Sequence, residues 1–218
     1  MLVVDDASPD DTVEVAQRLG LPTRRHPENR GSDGNQKTCY DWALSEGADI
    51  VVLLHPDYQY SPQCVPALTE PIASGRADFV FGSRFKDGGR PMDGGMPLYR
   101  YVGNRLTTVG ENFFLGTNFS ELHSGMKAYS RRFLQLVGYE DFSDAFVFDS
   151  QLLIRAVLLD FRIEEVAIPT RYTDESSSVS VRHSIKYILE TFGALFRARR
   201  DRTRVEREFE ERSNALSS

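Results

Sequence analysis

The chain has 218 residues, of which 40% are hydrophobic and 27% are charged, and its formal net charge is −6. These values are typical of one globular domain with a substantial core. The negative charge argues against a dedicated nucleic-acid-binding protein. No apolar run reaches the roughly 18 residues of a membrane-spanning helix, and no signal peptide is expected. Cys39 and Cys64 lack metal-site spacing, so we interpret them as buried free thiols in a reducing, cytoplasmic compartment.

The first part of the chain alternates short apolar runs with segments of helical spacing. The apolar runs predict strands over residues 2–4, 23–26, 50–54 and 78–82. The continuous β-branched and apolar run at 50–54 is typical of a strand that is covered on both faces. The alternation predicts an α/β fold with a mostly parallel central sheet flanked by helices.

The second part of the chain begins with a glycine-rich loop at residues 86–96, which we interpret as a mobile lid. The patterns downstream predict helices over 98–113, 131–137, 149–159 and 181–196, strands over 126–130 and 163–168, and a solvated helix or disordered tail over 201–218. We therefore predict one domain over residues 1–175, followed by a C-terminal amphipathic helix and charged tail over 176–218.

Three polar clusters each follow a predicted strand. They are Asp5-Asp6, the segment from His55 to Gln59, and Gly82-Ser83-Arg84. Because ligands of parallel α/β sheets bind outside the carboxyl ends of the strands, we expect the three clusters to share one edge. Their convergence points to a binding site more strongly than any single cluster does.

The segment after the third strand has the chemistry of a metal site. His55, Asp57 and Gln59 alternate along an extended stretch and offer oxygen and imidazole ligands, which suit Mn²⁺ or Mg²⁺. A strand-to-helix turn with His55 and Asp57 as capping groups explains the local pattern equally well. The pattern alone leaves both interpretations open.

Five further residues have both a functional and a structural interpretation. Asp5 and Asp6 suit contacts with a ribose or base, or a simple turn and helix cap. Arg84 suits a bidentate contact with a diphosphate, or a surface position. Lys37, with the amides of residues 29–37, suits a phosphate, or a plain loop with a solvated lysine. Asp149, flanked by aromatic residues at a helix start, suits a general base or a helix N-cap.

Taken in order, these motifs resemble the family 2 glycosyltransferases of the GT-A fold. The similar type is the dolichyl- or polyprenyl-phosphate mannose and glucose synthases. The matching stretches are Val3-Val4-Asp5-Asp6-Ala7-Ser8-Pro9-Asp10-Asp11-Thr12, Asn29-Arg30-Gly31, the segment from His55 to Gln59, Gly82-Ser83-Arg84 and Ser124-Gly125-Met126-Lys127-Ala128-Tyr129. Their ordered agreement over about residues 2–172 indicates the family more strongly than the substrate.

The resemblance implies a role for each candidate residue. It implies that Asp5 and Asp6 contact the nucleoside, and that Asp57 and Gln59 bind the divalent ion that bridges the donor diphosphate. It further implies that Arg84 neutralises a phosphate group, that Arg100 and Arg105 hold an acceptor phosphate, and that Asp149 lies near the acceptor.

The chain departs from the family pattern in two places. The usual aspartate-any-aspartate metal motif is His55-Pro56-Asp57 here, so an imidazole replaces one carboxylate. The chain also starts at what would be the second strand of the family, so we expect that an upstream strand and helix are missing. An absent strand would leave an unpaired sheet edge and an incomplete nucleotide pocket.

These observations predict a metal-assisted, inverting hexosyltransferase. Its donor would be a UDP- or GDP-sugar, and its acceptor a polyprenyl phosphate or a glycan. It would work in the cytoplasm with peripheral contact to the inner face of the membrane, and without nucleic acid. Two alternatives remain: a catalytically impaired nucleotide-sugar-binding module, and a sugar nucleotidyltransferase on a related fold.

Overall fold

The computed structural model describes residues 1–55, 59–142, 147–169 and 181–217, and for residues 181–188 it describes the helix but not the side chains. The strands are β1 (Val3–Asp5), β2 (Thr23–Arg25), β3 (Ile50–Leu53), β4 (Phe79–Ser83), β5 (Lys127–Ser130) and β6 (Ile163–Ala167). The helices are α1 (Thr12–Arg18), α2 (Gly31–Ser45), α3 (Val65–Ala73), α4 (Leu98–Leu115), α5 (Arg131–Val137), α6 (Phe148–Leu158), α7 (Val181–Arg200) and α8 (Arg202–Ser217).

Four strands form the main sheet in the order β3-β5-β4-β6, and β1 and β2 form a separate parallel pair. β4 and β6 pair in parallel, whereas β5 runs antiparallel to both β3 and β4. Helix α2 contacts β1 as well as β3. The predicted α/β fold, with a central sheet flanked by helices, is confirmed. Three of the four main strands share one direction, and the inserted strand β5 makes the sheet mixed.

The core lies on both faces of the main sheet. Alternate residues of a strand point to opposite faces, so Phe79 and Phe81 pack with Tyr129 on one face while Val80 and Ala128 pack on the other. The first face is rich in aromatic rings, including Tyr129 and Phe133, whose stacked rings have centroids 5.4 Å apart. Helices α5 and α6 cover this face, and α3 covers the other, so the strand ends are left for the site.

Gly82 in β4 allows the close approach of β6. A Cβ atom at Gly82 would lie 2.3 Å from Cδ1 of Ile168, which is buried. We expect Gly82→Ala to lower the free energy of unfolding by about 1–3 kcal/mol, since overpacking forces the neighbouring side chain or backbone to shift. Urea unfolding followed by circular dichroism measures the change.

Gly103 in α4 is the matched control for Gly82, because a Cβ there meets nothing within 4 Å. Alanine has the higher helix propensity, so Gly103→Ala should leave stability unchanged or raise it by up to about 1 kcal/mol. Equal stability losses in the two variants would contradict the packing argument at Gly82.

The C-terminal segment is more closely packed than its charge predicts. Residues 202–217 form helix α8, whose Val205 is buried and whose Phe209 ring lies 5.7 Å from that of Phe161. Of the two predicted states, a solvated helix or a disordered tail, the helix is confirmed for these residues, and two apolar side chains anchor it to the domain. The predicted boundary at residues 175 and 176 lies outside the described residues. Within the described residues, no helix is long and apolar enough to span a bilayer.

Candidate functional site

The carboxyl ends of β3 and β4 lie on either side of the start of β5. Leu53 at the end of β3 and Phe81 in β4 are both in register with Lys127, the first residue of β5. His55 follows β3 and Arg84 follows β4, so two of the three polar clusters lie at the same edge of the main sheet. This is the edge at which α/β sheets bind their ligands.

The segment before β5 contacts both clusters. The ring of His55 packs against Gly125, where a Cβ atom would approach its Cδ2 to 3.1 Å. The amide of Gly125 donates to the hydroxyl of Tyr60 at 3.2 Å. On the other side, the guanidinium of Arg84 donates to the carbonyl of His123 at 3.4 Å. Residues 121–125 therefore connect the His55 side of the site to the Arg84 side.

Arg84 is buried and is paired with Glu121. Its Nε donates to Oε1 of Glu121 at 2.7 Å, its Nη2 contacts the same oxygen, and its backbone amide donates to Oε2 at 2.8 Å. Asn104 on α4 also donates to Oε1, at 2.8 Å. The surface position that the sequence allowed for Arg84 is therefore wrong. Its guanidinium is held rigidly, and Glu121 already balances its charge.

A cavity of about 380 Å³ opens where β4 and β6 end. Three cationic residues, Arg84, Lys86 and Arg90, and one acidic residue, Asp87, line it together with glycines of the 86–96 segment and the end of β6. Glycine at position 89 lets this segment approach the backbone of Arg84, because a Cβ atom there would lie only 2.2 Å from the carbonyl oxygen of Arg84. The cationic side chains outnumber the single carboxylate of the lining, so this small space suits an anionic group.

The two arginines of α4 lie in different surroundings. Arg105 donates to the carbonyl of Ser120 at 3.1 Å, and its guanidinium lies 5.6 Å from the ring centroid of Phe85. It therefore sits beside the residue that follows Arg84. Nε of Arg100 donates to the hydroxyl of the adjacent Tyr99 at 3.3 Å.

Asp149 is held by a buried lysine. Nζ of Lys127 lies 2.9 Å from Oδ2 of Asp149, and the side chain of Lys127 is only 4% exposed. The other oxygen, Oδ1, is buried and has no hydrogen-bond partner among the described residues. The N-cap of α6 is Val147, so the capping interpretation of Asp149 is wrong. Asp149 lies in the first helical turn, where it joins α6 to β5.

Asp6 anchors the second polar region, at the end of β1. Its Oδ1 accepts from Nδ1 of His26 at 2.7 Å and from the amide of Arg30 at 2.9 Å. Burial alone would raise the pKa of Asp6, but the hydrogen bonds from His26 and from the amides of Arg30 and Gly31 outweigh it and lower the pKa below its ordinary value. Asp6 is therefore a carboxylate at neutral pH, and it ties β1 to the start of α2.

Asp5 is buried next to Asp6. Its Oδ2 accepts from the amide of Ser8 at 3.2 Å and lies 3.3 Å from Nε of Arg25. Oδ1 of Asp5 is buried without a hydrogen-bond partner among the described residues. Ala7, in the turn that follows, has a φ of 60°, a left-handed conformation that is costly for a residue with a Cβ atom. Buried carboxylates beside a strained turn are common at ligand sites.

Lys37 is not directed at the polar turn of β1. Its ammonium donates to the carbonyls of Glu140 and Phe142, which precede α6 in the chain. Its Nζ also lies 5.7 Å from the ring centroid of Phe148. These contacts connect α2 to α6 on the same face of the sheet as Asp149. They place Lys37 apart from the end of β1.

The predicted metal ligands are only partly described. Asp57 lies outside the described residues, and Gln59 is half-buried next to the buried Tyr60. Among the residues that the structure describes, no group of three His, Cys, Asp or Glu side chains is arranged to hold a metal. The imidazole of His55 and the amide oxygen of Gln59 are donors that Mn²⁺ accepts, and Gly125 leaves room for the imidazole ring. The described donors therefore fit such an ion.

Sequence reasoning missed Glu121, Lys127 and His26. Lys127 had a detectable signal, because a lysine inside the strand pattern Met126-Lys127-Ala128-Tyr129 is buried and needs an acidic partner. Glu121 and His26 had no such signal, since their partners are distant in the sequence.

Comparisons with known proteins agree with this geometry. The model of the family described as "Glycosyl transferase family 2" matches residues 1–138. The polyprenol monophosphomannose synthase of Mycolicibacterium smegmatis is 30% identical over 187 residues, which cover 83% of this chain and 69% of that protein. The UDP-N-acetylglucosamine–dolichyl-phosphate N-acetylglucosaminyltransferase of Methanococcus voltae is 29% identical over 195 residues, which cover 81% and 76%.

A solved structure shows the same fold. The glucosyl-3-phosphoglycerate synthase of Mycobacterium tuberculosis, crystallised with Mn²⁺, UDP and glucosyl-3-phosphoglycerate, has a TM-score of 0.64 and 19% identity, covering 89% of this chain and 67% of its own. The architecture of the present chain is accordingly that of the GT-A enzymes.

Proposed function

Since this chain belongs to glycosyltransferase family 2 and has the GT-A fold, we propose that it transfers a hexose from a nucleotide-diphosphate sugar to a polyprenyl phosphate. The observation that carries the proposal is the cationic cavity at the ends of β4 and β6, beside the edge where His55 and Arg84 flank β5. The relatives named for prenyl-phosphate acceptors support the choice of acceptor. The reaction is a single displacement that inverts the anomeric carbon.

The donor is held from both polar regions of the site. Asp5 and Asp6 contact the nucleoside, because they present fixed carboxylate oxygens at the end of β1. His55, Asp57 and Gln59 would hold Mn²⁺ or Mg²⁺, which would supply positive charge to stabilise the leaving nucleoside diphosphate. A related fold crystallised with Mn²⁺ and UDP supports the choice of metal.

Cationic side chains stabilise the charge that develops during transfer. Arg84 and Lys86 line the cavity, and their fixed charges favour an anion in a space partly shielded from water. Because Glu121 balances Arg84, we assign Arg84 a directional hydrogen-bonding role rather than the full neutralisation of a diphosphate. Arg105 and Arg100, on the neighbouring helix, hold the acceptor phosphate.

A phosphate acceptor requires no proton transfer. A phosphate oxygen is already an anion when it attacks the anomeric carbon, and the electrons of the broken C–O bond leave with the nucleoside diphosphate. A sugar hydroxyl would have to give up its proton to a base, and Asp149 is the residue that the sequence offers for this role. Asp149 is engaged by Lys127 through Oδ2, which favours a positioning role for Asp149 in transfer to a phosphate.

A transfer assay with Asp149→Asn tests the function and the acceptor together. We expect the wild-type chain to transfer labelled mannose or glucose from a GDP- or UDP-sugar to undecaprenyl phosphate when Mn²⁺ is present. Asparagine retains the shape of Asp149 and an oxygen for Lys127, so turnover should stay within about tenfold. A loss of about a hundredfold or more, in a variant that keeps its fold, would contradict the positioning role and indicate that the Asp149 carboxylate takes a direct part in the transfer.

The same assay separates the proposed enzyme from a non-catalytic module. Metal-dependent binding of nucleotide sugars in calorimetry, without transfer to any acceptor or hydrolysis of the donor, would contradict the proposed activity. Circular dichroism of Asp149→Asn checks that the variant keeps its fold. We place the reaction at the cytoplasmic face of a membrane, where a nucleotide sugar and a lipid phosphate meet.

A further inference from the structure

Helix α4 exposes a continuous apolar surface. Leu106 is 69% exposed and Phe113 is 83% exposed, and no charged residue interrupts the strip on which they lie. At 3.6 residues per turn, the exposed apolar side chains occupy an arc of about 100°. These side chains are Leu98, Tyr99, Val102, Leu106, Val109 and Phe113.

The opposite side of α4 is polar and buried. Thr108 is 1% exposed and Glu111 is 3% exposed, and Glu111 lies 3.1 Å from Nε2 of His123. Asn104 on the same side donates to Glu121. A helix on the surface of a soluble domain normally has the reverse arrangement, with its apolar stripe towards the core. Among the residues that the structure describes, nothing covers the apolar side of α4, which is therefore open to a contact outside the domain.

Helix α7 extends this surface. Phe196 is 60% exposed, and its ring centroid lies 5.4 Å from that of Phe114, which in turn lies 5.8 Å from that of Phe113. Leu189 on α7 is exposed as well. We call the exposed apolar side chains of α4 named above, together with Leu189 and Phe196, the α4–α7 face. A contiguous apolar surface of this kind marks an interaction site.

The border of the α4–α7 face is cationic. Arg105 is exposed beside the apolar arc of α4, and the only acid of that helix, Glu111, is buried. Three arginines, Arg197, Arg199 and Arg200, are exposed in the last turns of α7, where Arg200 pairs with Asp201. Among the side chains of α7 that the structure describes, Glu190 is the one acid, so the arginines prevail. This local positive charge contrasts with the net charge of −6 for the whole chain.

We propose that the α4–α7 face docks on an anionic lipid bilayer, with its apolar side chains inserted among the acyl chains and its arginines at the level of the headgroups. An apolar helix face bordered by basic residues is the pattern of interfacial membrane binding. A second copy of the chain is a poorer occupant, because a two-fold contact through this face would bring two cationic borders together. Membrane docking depends on the proposed function only for its biological role, which would be to bring Arg105 to the phosphate of a lipid acceptor.

Vesicle flotation of the full chain tests the docking without any sugar donor. We compare vesicles of phosphatidylcholine with vesicles that also contain phosphatidylglycerol, and expect binding to the anionic vesicles that weakens as salt is added. The double variant Leu106→Gln/Val109→Gln should bind them at least about tenfold more weakly, because two apolar side chains no longer enter the bilayer. Both positions are exposed, so circular dichroism should show an unchanged fold.

Leu19→Gln is the matched control, since Leu19 on the surface beside α1 is 70% exposed. It should bind anionic vesicles as the wild-type chain does. Absent wild-type binding, or equal binding by the double variant, would overturn the proposal. So would a wild-type dimer in light scattering that the double variant converts to a monomer, because a second copy would then cover the face. Failure of the transfer assay leaves all these results unaffected, so the two proposals fail separately.

Discussion

Replacing Glu121 with alanine is expected to lower the free energy of unfolding by about 3–5 kcal/mol, because the variant leaves the Arg84 guanidinium buried without a counter-ion. Both side chains are almost inaccessible to solvent, and Glu121 also accepts from the backbone amide of Arg84 and from Asn104. Water cannot readily replace these hydrogen bonds. Urea unfolding followed by far-UV circular dichroism measures the loss.

Two controls separate this buried pair from ordinary charge effects. Glu70→Gln breaks the exposed pair between Glu70 and Arg76, where solvent screens the charges, and should leave stability unchanged. The double variant Arg84→Met/Glu121→Leu removes both buried charges and should recover much of the loss. A stability change below about 1 kcal/mol in Glu121→Ala would show that the contact is dispensable to the fold.

Replacing Asp57 with alanine is expected to reduce metal-dependent transfer by about a hundredfold or more. The proposed metal site has one carboxylate, because His55 stands where the family has another, so Asp57 supplies the only negative charge among the three proposed ligands. Loss of the metal removes several kcal/mol of stabilisation from the transition state. Initial rates over a range of Mn²⁺ concentrations, with calorimetry of donor binding, measure the effect.

Asp49→Ala provides the matched control for Asp57→Ala. Asp49 lies just before β3, at the end opposite His55, and its side chain is 94% exposed. Its removal should leave both the rate and the Mn²⁺ requirement as they are in the wild-type chain. A metal requirement that is unchanged in Asp57→Ala would refute the assignment of that residue as a ligand.

The order of helices and strands could be predicted from the sequence, but the direction of one central strand could not. The apolar run at residues 50–54 and the helical spacing at 98–113 are local signals, and both elements are present. The pattern at 126–130 predicted a strand, yet its antiparallel insertion between β3 and β4 depends on tertiary pairing. The packing of α8 was missed for a related reason, since only Val205 and Phe209 oppose a run of charges.

The sequence predicted that His55 and Arg84 follow strands that end at one edge of the sheet, and the structure agrees. It did not predict how the side chains at this edge pair with one another. The partner of Arg84 is 37 residues away and that of Lys127 is 22 residues away, because Glu121 and Asp149 reach them through the fold. Sequence spacing carries no information about such contacts. The ion pair with Glu121 holds the Arg84 guanidinium in one position, whereas the sequence suggested a guanidinium without a protein partner.

The central position of β5 has a consequence for synthesis of the protein on the ribosome. β3 and β4 are complete by residue 83, but the strand that joins them spans residues 127–130. The nascent chain therefore carries two hydrophobic strands with open edges until about 40 more residues, from the end of β4 to the start of β5, have been added. Open strand edges associate readily with other chains. Chaperone dependence should accordingly be greatest for nascent chains that end before Lys127.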